Sequence, residues 1–68
     1  MKLVILVAER LAERNMTQKE LAEITGIRPA AISEICNNQR SSINRDHLTK
    51  IAEALEIEDI REIVNLRK

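Results

Sequence analysis

The stretch Thr17 to Asn38, TQKELAEITGIRPAAISEICNN, places two helix starts and a forced helix end close together, and it constrains the fold more than any other part of the chain. Thr17 stands three residues before Glu20. Its hydroxyl can therefore accept from the Glu20 N–H while the Glu20 carboxylate reaches back to the Thr17 N–H, which is the capping box that opens a helix. Leu21 and Ile24 supply an inward face, and Ala22 is small enough to admit a neighbouring helix. Gly26 takes a left-handed conformation at no steric cost, so this helix is predicted to stop near Thr25. Pro29 suits the first turn of a second helix, where its missing N–H has no partner to lose. Ile32 and Ile35 continue an apolar face at i, i+3, which predicts a helix from about Arg28 to Cys36.

Two short helices joined by a glycine-containing turn are the signature of a helix-turn-helix. Counting from Gln18, the motif requires an apolar fourth residue (Leu21), a small fifth (Ala22), a ninth glycine (Gly26) and an apolar tenth (Ile27). It also requires apolar fifteenth and eighteenth residues, here Ile32 and Ile35, so all six positions are met. On these residues, and on TQKELA at 17–22, TGI at 25–27 and LTKIAEAL at 48–55, the chain resembles one family. It is the lambda-repressor-like, Cro-type (xenobiotic-response-element) family of helix-turn-helix DNA-binding domains, and the resemblance extends over nearly the whole chain.

The resemblance implies an all-α, compact five-helix domain over residues 1–68, with the helix-turn-helix as helices 2 and 3. It implies a sequence-specific regulator of transcription, a repressor, acting on double-stranded DNA as a homodimer without metal or cofactor. The helix Arg28–Cys36 then lies in the major groove, with its N-terminal side chains at base edges. Gln18, at the start of the preceding helix, is implied to bind a phosphate or a base edge. Arg28, Pro29, Ala30, Ser33 and Glu34 are the outward positions of the recognition helix. Arg28 suits guanine or a phosphate, Ala30 a thymine methyl and Glu34 a cytosine amine, while Asn38, Arg40 and Arg45 are candidate phosphate clamps. Pro29 and Ala30 replace the long polar residues that many relatives use, which shifts specificity toward DNA shape.

The other elements follow from pattern. Met1–Leu6 is an apolar run that reads equally as a short strand or as the first turn of a helix. Val7, Leu11 and Ala12 form one face of a helix from Leu6 to about Arg14, Asn15 takes the left-handed position, and Met16 staples onto Leu21. Asn37 and Asn38 end the recognition helix, Gln39–Ser42 form a polar loop, and Ile43 returns to the core. Asn44 caps a fourth helix, Arg45–Leu55, whose Leu48, Ile51, Ala52 and Leu55 form one stripe. Glu56 stands where the family usually has glycine, so this helix is expected to end less cleanly or run further. A fifth helix is expected from about Glu58; alternatively, Ile63–Leu66 pairs as a strand with Leu3–Leu6.

Composition removes rival classes. With no Phe, Tyr or Trp there is no stacking platform for single-stranded nucleic acid, which disfavours OB-fold and RNA-recognition readings. One cysteine, Cys36, cannot form an internal disulfide, and no Cys/His cluster has metal-ligand spacing, so a cytoplasmic location is expected. The apolar run MKLVILVA ends at Glu9 without a cleavage site, which argues against secretion and against a membrane span. No paired carboxylates, phosphate loop or small-molecule site is evident, so the chain is not expected to be an enzyme. Cys36 reads as a small apolar residue and His47 as a surface residue or a phosphate contact.

Net charge is formally zero, unlike most domains that grip nucleic acid. Its distribution is uneven: residues 28–50 carry four basic residues against two acidic, whereas residues 51–68 carry three against five. The positive excess thus lies in the segment assigned to DNA. The neutral total and acidic last third support a second reading, in which the same fold serves as a protein-interaction module such as an antitoxin or adaptor.

Overall fold

A computed structural model of the chain describes residues 1–39 and 42–68. In chain order these form strand β1 (Lys2–Ile5), helices α1 (Val7–Glu13), α2 (Gln18–Thr25), α3 (Pro29–Cys36) and α4 (Arg45–Ala54), a 3₁₀ turn (Ile60–Glu62) and strand β2 (Val64–Arg67). Arg40 lies outside the described residues.

Helix ends follow the local signals. Thr17 caps α2 with both bonds of the box, Glu20 N–H to Thr17 Oγ1 and Thr17 N–H to Glu20 Oε1, each at 3.0 Å. Asn44 caps α4, its Oδ1 accepting from the His47 N–H at 3.2 Å. Gly26 ends α2 at φ 75°. The other three α-helices end in a residue with positive φ that is not glycine: Asn15 (53°), Asn38 (55°) and Glu56 (56°). Each completes the same pair of bonds. At α4, for example, the Glu56 N–H donates to Glu53 O at 3.2 Å and the Ile57 N–H to Ala52 O at 2.8 Å. This is the Schellman arrangement, which satisfies carbonyls that the helix cannot. Glu56 therefore does not lengthen α4 or blur its end; it adopts the geometry glycine would take.

The expected fifth helix is corrected. Only the three residues of the 3₁₀ turn are helical there, held by the Asp59 carboxylate accepting from the Arg61 N–H at 2.9 Å. The chain then extends, and β2 pairs antiparallel with β1 in the register Lys2↔Arg67, Leu3↔Leu66, Val4↔Asn65 and Ile5↔Val64. Of the two readings of the termini, the strand pair is the one formed, so the described fold is mostly helical, four α-helices with a short two-stranded ribbon in place of five helices. The reason is that Lys2–Ile5 buries Ile5 beneath the helices and leaves backbone groups that need a partner, which Val64–Arg67 supplies.

The core draws on every α-helix and on both ends of the chain: Ile5, Val7, Leu11, Leu21, Ala22, Ile27, Ile32, Cys36, Ile51, Leu55, Ile57 and Ile63. Leu21, Ile32, Ile51, Ile63 and Val7 have essentially no exposed surface. Three assignments change. Ala12 is exposed, Ile24 is exposed by 58 % on the outer side of α2, and Ile43 is exposed by 37 % in the loop before α4. Helix α2 instead buries the adjacent pair Leu21 and Ala22, because the small alanine lets neighbouring helices reach that side of its axis. Arg14, the residue closing α1, donates through its guanidinium to Leu55 O at 3.1 Å. The end of α1 thereby covers an orphan carbonyl at the end of α4, where a cation is favoured.

Candidate nucleic-acid interface

The relation between α2 and α3 is set by one turn. Thr25 donates its hydroxyl hydrogen to Leu21 O at 2.8 Å and accepts from the Ile27 N–H at 3.2 Å. Gly26 reverses the chain at positive φ, and Ile27 drops into the core. A Cβ at Gly26 would meet nothing within 4 Å, so glycine is required there for its backbone and not for space. Arg28 then takes extended geometry (φ −61°, ψ 140°) and Pro29 begins α3. The sequence signal of the Thr25 bridge is a hydroxyl residue immediately before the glycine that ends a helix.

This turn leaves Arg28, Pro29 and Ala30 exposed at the N-terminal end of α3. Gln18 is exposed at the N-terminal end of α2, in the turn whose N–H groups lack intrahelical acceptors. Ser33 and Glu34 are half-buried one turn further along α3, and Ser33 Oγ accepts from Asn37 Nδ2 at 3.3 Å. Between α3 and the start of α4 lies a cleft of about 370 Å³. Arg28, Ala30, Glu34 and Asn38 border it on one side, and Asn44 and His47 on the other. The structure thus brings Arg28, Ala30 and Glu34 together with His47.

Two expected phosphate clamps sit differently. Arg45 is exposed but lines a separate groove along α4, with Leu48, Ala52, Ile57 and Ile60. Asn38 has its carboxamide engaged with the peptide groups of Ile5: Oδ1 accepts from the Ile5 N–H at 2.6 Å and Nδ2 donates to Ile5 O at 3.1 Å. Its own N–H donates to Ile35 O.

Elsewhere the chemistry is quiet. Burial pushes the Cys36 thiol up, and the negative charge of Glu9 adds to this, which makes a thiolate harder to form. The Arg61 guanidinium, hydrogen-bonded to Asp59, lowers that carboxyl to about 2. No three His, Cys, Asp or Glu residues among the described ones are grouped to hold a metal, and no described helix is long and apolar enough to cross a membrane.

Comparison with known proteins agrees with the helix-turn-helix fold. A family model described as helix-turn-helix matches residues 7–63, from the start of α1 to the last core isoleucine before β2. A crystal structure described as that of "a putative DNA-binding protein from Bacteroides fragilis" superposes with a TM-score of 0.79 at 34 % identity. The match covers 94 % of this chain and 100 % of that one. No curated protein matches.

Proposed function

This chain belongs to the lambda-repressor and Cro-like helix-turn-helix family, and from that premise we propose that it is a sequence-specific regulator of transcription that binds double-stranded DNA and represses. The observation that carries the reading is the exposed pair of helix starts, α2 at Gln18 and α3 at Arg28, held at one angle by the Thr25–Gly26 turn. In this reading α3 enters the major groove and α2 crosses the backbone above it. The Gln18 end of α2 presents free N–H groups and a positive dipole end to a phosphate. Arg28 makes the guanine or phosphate contact, and Ala30 lies against a base edge. Ser33 and Glu34, deeper on the helix, reach base edges only where the groove admits them, and Pro29 contributes shape alone. Arg45, at the start of α4, approaches the backbone from the flank, and Arg40 is assigned to the backbone with it.

The protein acts as a two-fold dimer, with half-sites spaced by roughly one helical turn of DNA. Its contact is placed on the terminal ribbon. There Leu3 and Leu66 face each other across the strands and remain exposed by 46 % and 61 %. A mass by light scattering that stays monomeric at all concentrations would refute this assignment.

Selection from a randomised duplex library, followed by salt titration, tests the function. Enrichment of a two-fold site is expected, with affinity falling steeply as salt rises. Arg28→Ala should weaken binding by about 1–3 kcal/mol and relax one base position, whereas Gln18→Ala should weaken all duplexes alike. Folded protein that enriches nothing at low salt would refute DNA binding. The formally neutral charge favours the alternative of a protein-interaction module, which co-purification with a partner and no salt-sensitive DNA binding would select.

A further inference from the structure

We propose that Asn38 is a positioning residue for the recognition helix, fastening its C-terminal end to the terminal ribbon so that the ribbon sets the angle at which α3 meets DNA. The inference rests on the DNA-binding reading and extends it to a residue that touches no base.

The geometry is that of a strand completed by a side chain. Ile5 pairs with Val64 across the ribbon, yet its own N–H and C=O both point to Asn38 and form the bonds at 2.6 and 3.1 Å. The carboxamide sets an N–H donor beside a carbonyl acceptor, as a peptide group does. It therefore occupies the outer edge of β1 as a neighbouring strand would. The next ribbon bond, Leu6 N–H to Ile63 O at 2.8 Å, ties the same segment to the residue before β2.

Asn38 can do this because of where α3 stops. Its φ of 55° turns the chain sharply, and the bonds Asn38 N–H to Ile35 O (3.3 Å) and Gln39 N–H to Glu34 O (3.1 Å) lock it to the last turn of the helix. The side chain is then rigidly part of α3 while its partner is rigidly part of the ribbon. The other end of α3 is held by the Thr25–Gly26 turn and by buried Ile32. With the clamp intact both ends are fixed; without it only core packing restrains the C-terminal end. Asn38 itself is exposed, so removing its side chain opens no cavity.

The test uses the full chain and the duplex that the wild type selects. Asn38→Gly keeps the left-handed backbone and deletes both bonds. Asn15→Gly makes the same change at the end of α1, where no described side-chain bond is lost. At a temperature where circular dichroism shows all three proteins folded, Asn38→Gly should lose about tenfold in affinity, and Asn15→Gly no more than about twofold. The slope of log affinity against log salt should be unchanged in Asn38→Gly, because no cationic side chain is removed. Discrimination against single-base variants of the site should fall. A loss of affinity equal for all duplexes, with discrimination unchanged, would make Asn38 a phosphate clamp and overturn the proposal, as would wild-type affinity and discrimination in Asn38→Gly. Should Asn38→Gly not fold, the wild type alone decides. Amide exchange at Ile5 should slow on saturation with duplex by more than exchange at Ile57, and equal slowing would overturn the clamp. Wild-type protein that binds no duplex would instead refute the DNA-binding reading itself, an outcome distinct from intact binding that is indifferent to Asn38.

Discussion

Replacing Glu56 by glycine should stabilise the protein. Glu56 holds φ 56° immediately after α4, a conformation in which the Cβ of an L-residue crowds the carbonyl oxygen. That crowding costs roughly 1–2 kcal/mol, which glycine does not incur. Against it, glycine gives the unfolded chain more freedom, worth about 0.5–1 kcal/mol. A second gain comes from charge. A carboxylate beside the last carbonyls of a helix meets the negative end of its dipole, at about 0.3–1 kcal/mol when exposed. The net expectation is a gain of about 1 kcal/mol, or a rise in melting temperature of roughly 4–8 °C for a chain of this size. Glu56→Gln separates the two causes, since it removes the charge and keeps the Cβ. Urea and thermal unfolding followed by circular dichroism should rank Glu56→Gly above Glu56→Gln and both above wild type. A glycine variant no more stable than the glutamine variant would refute the backbone argument and leave only the charge.

Three further outcomes follow from the same structure. Asn38→Gly should cost about 2 kcal/mol more than Asn15→Gly in urea unfolding, two hydrogen bonds at about 1 kcal/mol each; equal costs would mean that the Ile5 bonds contribute nothing net. Ile51→Ala, at a side chain of α4 with no exposed surface, should cost about 2–5 kcal/mol, whereas Ile24→Ala on the outer side of α2 should cost less than about 0.5 kcal/mol by the same assay. Asp59 has a carboxyl lowered to about 2 from its ordinary 3.8 by the Arg61 hydrogen bonds. A depressed carboxyl stabilises the fold fully above its unfolded value and loses that contribution as pH falls from about 4 toward 2. Nuclear magnetic resonance titration should place the Asp59 midpoint near 2 and return it toward 3.8 in Arg61→Ala; an unmoved midpoint would contradict the pairing.

What the sequence determined by itself is everything whose partners lie within a few residues. Thr17 and Glu20, Asn44 and His47, Gly26 and Pro29 mark helix ends because capping bonds and φ preferences act over one turn. The stripe of Leu48, Ile51, Ala52 and Leu55 shows its buried side by period alone, and the motif spacing from Gln18 to Ile35, together with TQKELA, TGI and LTKIAEAL, indicates the family. At the interface, the exposure of Gln18, Arg28, Pro29 and Ala30 was legible for the same local reason.

The tertiary structure decided what depends on residues far apart in the chain. Lys2–Ile5 and Val64–Arg67 are each too short to reveal strand or helix by pattern, and their pairing joins opposite ends of the chain, so the tertiary structure decided for the strand pair. Ile24 carries the right residue type for a core face but points outward, because the angle of α2 is set by its neighbours. Asn38 reads in the sequence as a helix terminator or phosphate ligand. It does end α3, but its carboxamide also meets the Ile5 peptide 33 residues away, and no local preference encodes that meeting, because it exists only once the core has brought the end of α3 against β1.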